Sequence, residues 1–498
     1  MNKLLSLSLF FIFGLYPNLH AQFCDTLYEF IQPNKFPEIE TGDLNNDGLP
    51  DFIYCGESSS SGSPCRIMLN QGDQTFVGHY GLPDVGTLSS ISLGDIDGDH
   101  DLDLFLSGYA IGIPFTASIY TNNGAGVFTY VQSLEGVLHG DSEFLDIEND
   151  GDLDLFYFGR GNATLKVTKL YKNDGLGHFT EIPSGLPQFM KGDMEITDID
   201  LDGDRDILIA GNENTGNCGT RILAVNDGLG NFTTSPLPVP ILDETILTLC
   251  HINNDPFIDL IANGANVSCR TYCYLGDSIG GFTPIGPNGL DSMAYGSIAV
   301  NDIDNDGDVD VFLTGMTDNG YYNDTLLFTS GIFLNNAGFF VKDTSFQVPD
   351  LFSSSTTLTD LDGNCSPDLI HIGGKKVYEP VECILDYGRI YYNAMFWEGC
   401  DTPIIDPTTV DEPSDIVIRI LENPVKNILE IEVQQDVSCI KIIDLNGRIL
   451  KEHYTNEIHE DEPIVTFNVT ELSASFYLVQ AESRTHKIQR LQIMKSNW

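Results

Sequence analysis

Carboxylate side chains recur in this sequence at a spacing that could bind a metal ion. The nine residues that start at Asp302, DIDNDGDVD, place acidic oxygens at positions 1, 3, 5 and 9. Related segments start at Asp43, Asp95, Asp146, Asp198, His251 and Asp360, so that successive starts lie 52, 51, 52, 53, 51 and 58 residues apart. Seven copies at a nearly fixed period are typical of a repeat architecture.

The chemistry of this nine-residue segment favours a hard divalent cation. Several carboxylates in one short turn repel each other unless a cation lies among them. A flexible loop with oxygen ligands only suits Ca²⁺ better than Mg²⁺. Glycine at position 6 permits the positive φ that a sharp turn needs. The alternative is that these aspartates only form Asx-turns, which suits an isolated Asp better than four acids in one loop.

The elements around each loop are predicted to be strands. An apolar residue follows at position 10 and a glycine at position 14 in every copy, and an Asn/Asp/Gly-rich turn comes later in each repeat before a phenylalanine in the first six. Four strands per unit of about fifty residues fit a propeller blade. We therefore predict an all-β chain that begins with a seven-bladed β-propeller over residues 22–397, in which strand 25–31 completes the last blade. The alternative is a linear β-solenoid.

These loops resemble the FG-GAP (VCBS-type) repeats of propellers similar to integrin α-subunits. In that family the side chains at positions 1, 3, 5 and 9 hold calcium, which implies Ca²⁺ as the cofactor of up to six loops here. The implied ligands are Asp43, Asn45, Asp47 and Asp51; Asp95, Asp97, Asp99 and Asp103; Asp146, Glu148, Asp150 and Asp154; Asp198, Asp200, Asp202 and Asp206; Asp302, Asp304, Asp306 and Asp310; and Asp360, Asp362, Asn364 and Asp368.

Some copies depart from the pattern. In the fifth repeat His251 replaces the first carboxylate, and Pro256 and Phe257 replace the glycine-containing turn, so this site is predicted to be empty or weak. Glu148 is longer than Asp, and we expect looser coordination there. His100 and Cys365 stand at position 6 in place of glycine, which predicts strained turns.

The start of the chain and its composition bear on location. Residues 1–21 have the charged start, the apolar run and the small-residue end of a secretory signal peptide, and no segment is long enough for a membrane span in the mature chain. The net charge of −49 argues against nucleic-acid binding. Among the 11 cysteines, Cys55 and Cys65 could close a loop and Cys24 and Cys400 could join the two ends of the repeat region.

The last part of the chain has a different composition. Residues 398–415 are rich in Pro and Asp and are predicted to be a linker, and residues 416–498 alternate apolar and polar residues, which predicts a small immunoglobulin-like β-sandwich. Three segments, 423–433, 440–450 and 469–480, resemble the C-terminal sorting domain of Bacteroidetes type IX secretion cargo. The resemblance implies export through the type IX machinery and a secreted or surface-attached protein. The alternative is a module that binds a ligand itself.

No catalytic constellation is found in the sequence. The ten histidines are scattered, and no GxSxG, HExxH or P-loop motif is present. We therefore predict a non-enzymatic propeller that binds a protein or a glycan. The alternatives are a polysaccharide lyase or hydrolase, and a scaffold without a ligand of its own. Aromatic residues often anchor interfaces, so we predict ligand contacts at Tyr321, Tyr322 and Tyr378 in the loops of the opposite face.

Overall fold

The chain forms two compact units in a computed structural model, Met1–Phe396 and Trp397–Trp498. The structure describes residues 23–27, 35–57, 65–72, 74–110, 112–163, 166–212, 219–253, 255–265, 268–317, 328–377, 383–393, 418–420, 428–433, 437–443, 449–454, 464–469, 475–483 and 488–495. Within these ranges all regular structure is strand, and no helix long and apolar enough to cross a bilayer occurs. The predicted signal peptide and linker lie outside the described residues.

Seven antiparallel sheets make up the first unit, each built around one repeat and here called blades 1–7. The first strand of each blade is the innermost one: β2 (Lys35–Gly42), β6 (Thr87–Gly94), β10 (Val137–Leu138) with β11 (Ser142–Leu145), β15 (Met190–Thr197), β19 (Asp243–Cys250), β23 (Met293–Asn301) and β27 (Phe352–Thr359). In every blade an innermost strand contacts those of the two neighbouring blades; in blade 3 this strand is β11, and the ring closes through β27 and β2. The seven sheets therefore form a closed ring, as the propeller prediction requires, and not a linear stack.

The second strand of every blade starts at an aspartate. These strands are β3 (Asp51–Glu57), β7 (Asp103–Tyr109), β12 (Asp154–Gly161), β16 (Asp206–Asn212), β20 (Asp259–Ala265), β24 (Asp310–Thr317) and β28 (Asp368–Val377). That aspartate is position 9 of the repeated segment, and it pairs with the residue just before position 1, as in Gly42↔Asp51 and Asn301↔Asp310. The segments therefore connect the first and second strands, as predicted, and are called loops 1–7.

The two outer strands complete each blade. The third strands are β4 (Cys65–Asn70), β8 (Thr116–Thr121), β13 (Val167–Asn173), β17 (Gly219–Asn226), β21 (Cys269–Gly276), β25 (Phe328–Asn336) and β29 (Cys383–Asn393). The fourth strands are β5 (Phe76–His79), β9 (Thr129–Ser133), β14 (Phe179–Ile182), β18 (Phe232–Pro236), β22 (Phe282–Pro284), β26 (Phe339–Lys342) and, in blade 7, β1 (Phe23–Leu27). The first strand in the sequence thus pairs with β29, from Phe23↔Asn393 to Leu27↔Arg389, and spans 23–27 where the sequence predicted 25–31.

The hydrophobic core lies between neighbouring blades. The side chain at position 2 of each loop is buried at one of these interfaces: Leu44, Ile96, Ile147, Ile199, Ile252, Ile303 and Leu361 are at most 4% exposed. Fully burying such a side chain stabilises the fold by roughly 1.5–3 kcal/mol. The interface between blades 7 and 1 is filled like the others, by Phe52, Ile370 and Tyr392 among others. Burial at position 2 fixes one side of every loop to the core.

The second unit contains two antiparallel sheets in its described part. One has the order β30 (Ile418–Ile420), β31 (Ile428–Val433) and β34 (Ile464–Asn468). The other has the order β33 (Ile449–Tyr454), β32 (Val437–Ile443), β35 (Ser475–Ser483) and β36 (Ile488–Lys495). Alternate residues such as Leu429 and Ile431 are buried, which is the period-2 pattern expected of strands with one face on a core.

Candidate metal centres in the repeated loops

The aspartate at position 9 holds each loop to its own blade. One carboxylate oxygen accepts the backbone N–H of position 2 at 2.7–3.2 Å in all seven loops. The other accepts a backbone N–H near the end of the third strand at 2.7–2.8 Å. All seven of these aspartates are 0–1% exposed. The same arrangement in loop 5 shows that this residue is structural, whatever else it binds.

The first aspartate shapes the turn. In six loops one of its oxygens accepts the backbone N–H of position 6 at 2.7–3.0 Å. Position 6 has positive φ even where it is not glycine, at 72° in His100 and 63° in Cys365. Loop 5 has lost both halves of this contact, because His251 has no carboxylate and Pro256 has no N–H. Its His251 Nδ1 lies 3.0 Å from the Phe257 carbonyl oxygen instead.

Carboxylates converge in four of the loops. One oxygen from each of three side chains lies within 4.8 Å of the other two in these sets: Asp95, Asp97 and Asp99; Asp198, Asp200 and Asp206; Asp302, Asp304 and Asp306; Asp360, Asp362 and Asp368. Among the described residues, the Oδ1 atoms of Asp97, Asp200 and Asp304 are buried without a hydrogen-bond partner. Buried polar atoms are normally satisfied, and a cation among these side chains would satisfy the position-3 oxygens.

The pKa values of the loop aspartates are also consistent with a cation site. Burial, then Asp306 and Asp302, raise the pKa of Asp304 to about 6. Burial likewise raises the pKa of Asp310 and Asp368 to about 8, with further increases from neighbouring loop aspartates. A carboxyl whose charge is disfavoured by burial and by like charges gains most from a cation bound among its oxygens.

Loops 1 and 3 differ from these four. In loop 1 the Asn45 side-chain amide donates to Asp47 at 2.9 Å, so an amide N–H faces the turn. In loop 3 the Lys172 ammonium contacts Glu148 and lies 3.3 Å from Asp150 Oδ2. The residues predicted at positions 3 and 5 of loop 3 are therefore brought together around a lysine.

A second set of residues, which sequence reasoning missed, links the loops around the ring. A buried asparagine at or beside the end of the third strand donates from Nδ2 to the position-2 carbonyl of the preceding blade at 2.6–2.9 Å: Asn70, Asn122, Asn173, Asn226, Asn335 and Asn393. We call these residues latch asparagines. Asn70 reaches Leu361 and so joins blade 1 to blade 7. Blade 5 has Gly276 at this place, where a Cβ would lie 2.0 Å from the Ile258 carbonyl oxygen.

The sequence contains a signal for the latch, but that signal is equally typical of a hairpin turn. The asparagine lies 19 residues after position 9 in blades 1–3, at Asn70, Asn122 and Asn173. It is the first residue of the Asn/Asp/Gly-rich turns. Regular spacing alone could not show that this side chain is buried and points to the neighbouring blade.

The centre of the ring holds a second group of acids. A cavity of about 980 Å³ is lined by Glu38, Glu40, Glu143, Glu195 and other innermost-strand residues. Asp141 and Asp193 also line it, and each accepts a backbone N–H from the next blade, from Met194 at 3.1 Å and from Leu247 at 2.8 Å. Burial and the neighbouring Asp141 raise the pKa of Glu38 and Glu143 to about 8. Through their hydrogen bonds to Met194 and Leu247, Asp141 and Asp193 join neighbouring blades.

Other predicted residues can be placed only in part. Cys55 and Cys65 form the expected disulfide between β3 and β4. The side chain of Cys24, residue Cys400 and the three predicted ligand contacts Tyr321, Tyr322 and Tyr378 lie outside the described residues.

Two different family models match the two parts of the chain. Residues 43–106 match the model of the FG-GAP-like repeat, and residues 420–495 match that of the secretion system C-terminal sorting domain. A comparison with curated protein sequences finds no significant match.

Several solved structures are similar to the chain. One is PorZ, described as an essential surface component of the type-IX secretion system of Porphyromonas gingivalis, with 11% identity over 95% of this chain and a TM-score of 0.40. The chain covers 61% of that protein's length. Another is an arginine-to-alanine mutant of AofleA from Arthrobotrys oligospora, with 10% identity over 73% of this chain and 88% of that chain, and a TM-score of 0.37.

The family matches and the ring of seven blades agree with each other. The sorting-domain match, residues 420–495, lies within the second unit of the chain. The chain thus contains an FG-GAP-like repeat at residues 43–106 within a seven-bladed propeller and a type IX C-terminal sorting domain at residues 420–495, and it is a secreted or cell-surface protein.

Proposed function

We propose that this protein is a calcium-stabilised, non-enzymatic binding propeller that the type IX machinery exports to the cell surface or beyond. The observation that carries the calcium proposal is the convergence of three carboxylates in each of loops 2, 4, 6 and 7, with a buried oxygen that lacks a partner in three of them. Hard oxygen donors of this kind suit Ca²⁺. Bound there, calcium would neutralise the loops and fix the hairpins that they connect.

The residues that would hold the ion are those of the convergent sets. Asp302, Asp304 and Asp306 would supply three oxygens in loop 6, with Asp310 beside them at the start of β24. Asp310 keeps both oxygens on backbone N–H groups, so it also serves to fix the loop. Calcium has a structural role in this proposal, because the loops that would hold it connect the first and second strands of their blades.

The binding role is proposed for exposed apolar side chains on the loop face. Leu176, Leu229 and Ile279 stand at equivalent turns of blades 3, 4 and 5 and are 66%, 74% and 80% exposed. The glycine after each packs against position 2 of the preceding blade's loop, as Gly177 does against Ile96, so the turns and the loops share one face. We propose that these exposed side chains at equivalent turns contact a protein or a glycan.

Two experiments test this function. Calcium added to the chelated full-length protein should raise its melting temperature by several degrees, and Asp304→Asn should remove one bound ion. Asp84→Asn is the matched control, because Asp84 is an exposed carboxylate that pairs with Arg66 outside the loops. An unchanged melting temperature after calcium is added would refute the structural role of the metal.

The ligand is tested with arrays. A glycan and surface-protein array should show binding that Leu229→Ser with Ile279→Ser weakens at unchanged melting temperature. Incubation with a panel of polysaccharides should release no reducing ends or unsaturated products. Such products would favour the enzyme alternative over the binding role.

A further inference from the structure

Loop 3 differs from the other loops at two places that face each other. Position 3 is Glu148, whereas the other loops have Asn45, Asp97, Asp200, Asn253, Asp304 and Asp362 there. The residue before the latch position is Lys172 in blade 3, whereas the equivalent residues in the other blades are Leu69, Thr121, Val225, Leu275, Leu334 and Tyr392. The one Glu and the one Lys occur in the same blade and form an ion pair.

The position of Lys172 follows from the register of blade 3. It precedes the latch Asn173, whose N–H binds Asp154 at 2.8 Å, so the third strand passes directly beside loop 3. The ammonium contacts Glu148 and lies 3.3 Å from Asp150 Oδ2. A lysine ammonium offers three N–H donors and one positive charge, enough to serve two carboxylates at once.

The backbone of loop 3 is otherwise that of a cation-binding turn. Asp146 accepts the N–H groups of Asp150 at 3.1 Å and Gly151 at 2.9 Å, as Asp198 does from Asp202 and Gly203 at 3.0 Å in loop 4. Loop 4 presents a convergent carboxylate set, whereas loop 3, all of which is described, does not. Loops 3 and 4 thus have the same turn conformation but differ in the positive charge that would neutralise their carboxylates.

We propose that Lys172 takes the place of calcium in loop 3, so that blade 3 is closed by its own ammonium and does not depend on the metal. This inference rests on the proposed calcium binding of the other loops. Glu148 has the extra methylene that lets its carboxylate reach the lysine. A tethered cation cannot be removed by a chelator, and blade 3 then remains ordered when calcium is withdrawn.

The test counts bound calcium in the full-length protein and in exchange variants. Lys172→Val installs the residue type of blade 4 and should add one calcium ion per chain. Val225→Lys places an ammonium beside loop 4 and should remove one. Lys169→Gln is the matched control, because Lys169 lies in the same strand but pairs with Glu135 and Glu181, away from the loop, and its calcium count should equal that of the wild type.

Two further measurements keep the outcomes distinct. Hydrogen exchange in the presence of a chelator should leave loop 3 of the wild type as protected as before, while loop 4 loses protection. Long-wavelength anomalous diffraction from calcium-soaked wild-type crystals should show no peak in loop 3. A calcium peak there, or an unchanged calcium count in a folded Lys172→Val, would overturn the inference. Wild-type protein that binds no calcium at all would instead refute the proposed function on which the inference rests.

Discussion

Replacing a latch asparagine by alanine should weaken the ring at one blade interface. Asn335 is 4% exposed, and its Nδ2 donates to Ile252 O of blade 5 at 2.9 Å and to Val309 O at 3.1 Å. Its Oδ1 accepts the Gly338 N–H at 2.8 Å. Asn335→Ala removes all three hydrogen bonds and leaves the Ile252 carbonyl without this donor in the core.

The expected loss follows from these contacts. A net hydrogen bond contributes about 0.5–1.5 kcal/mol, and a buried group left unsatisfied costs about 1–3 kcal/mol, so the free energy of unfolding should fall by about 3 kcal/mol. With an unfolding entropy of about 2.1 cal/mol/K per residue, spread over the unit Met1–Phe396, the melting temperature should fall by about 4 °C.

The neighbouring residue provides the control for this measurement. Asn336 is exposed at the end of the same strand, and Asn336→Ala should change the free energy of unfolding by less than about 0.5 kcal/mol. Both variants are compared with the wild type by calorimetry at saturating calcium. If the Asn335→Ala and Asn336→Ala variants have the same melting temperature, the latch does not hold the blades.

Four further predictions concern pH, the disulfide and the fifth loop. Burial raises the pKa of Glu38, Glu143 and Glu195 from 4.5 to about 8, so the folded state binds more protons than the unfolded state between these pH values. The free energy of unfolding of the chelated protein should therefore fall from pH 5 to pH 8. Urea titrations should show a smaller fall for Glu195→Gln. Replacing Cys55 and Cys65 by serine opens a bridge between residues 10 apart and should lower the stability by about 2–3 kcal/mol in thermal melts. Asp259→Asn should destabilise the protein by about 1–3 kcal/mol, because one buried N–H loses its acceptor, yet leave the calcium count unchanged. His251→Asp combined with Pro256→Gly restores the carboxylate and the N–H of loop 5 and should add one calcium ion, whereas an unchanged count by elemental analysis would show that more of the loop must change.

The ring and its loops were predictable because their pattern repeats. Seven copies of an acidic segment between alternating strands determine both the blade count and the position of each loop, and position 9 starts the second strand in every copy. The pairing of the first strand with β29 was also expected, although the strand begins at Phe23 and ends at Leu27. Repetition averages out the local ambiguity that limits predictions for a single segment.

Contacts between blades could not be read from the sequence in the same way. Latch asparagines look like turn residues, since Asn is common in turns, and their burial depends on how the next blade is packed. The sequence alone does not show that Lys172 pairs with Glu148, because this contact depends on the strand register. The convergence of Asp302, Asp304 and Asp306 also needs coordinates, because spacing in a loop does not fix where side-chain oxygens point.

We propose that oxygen-rich turns of this propeller bind calcium between the first and second strands of their blades. Anomalous diffraction from calcium-soaked crystals of the full-length protein measures this directly. Calcium binding predicts a peak among the carboxylates of each convergent set, at Asp95–Asp99, Asp198–Asp206, Asp302–Asp306 and Asp360–Asp368, and none in loop 5. Maps without a peak in any of these four loops at millimolar calcium would contradict it.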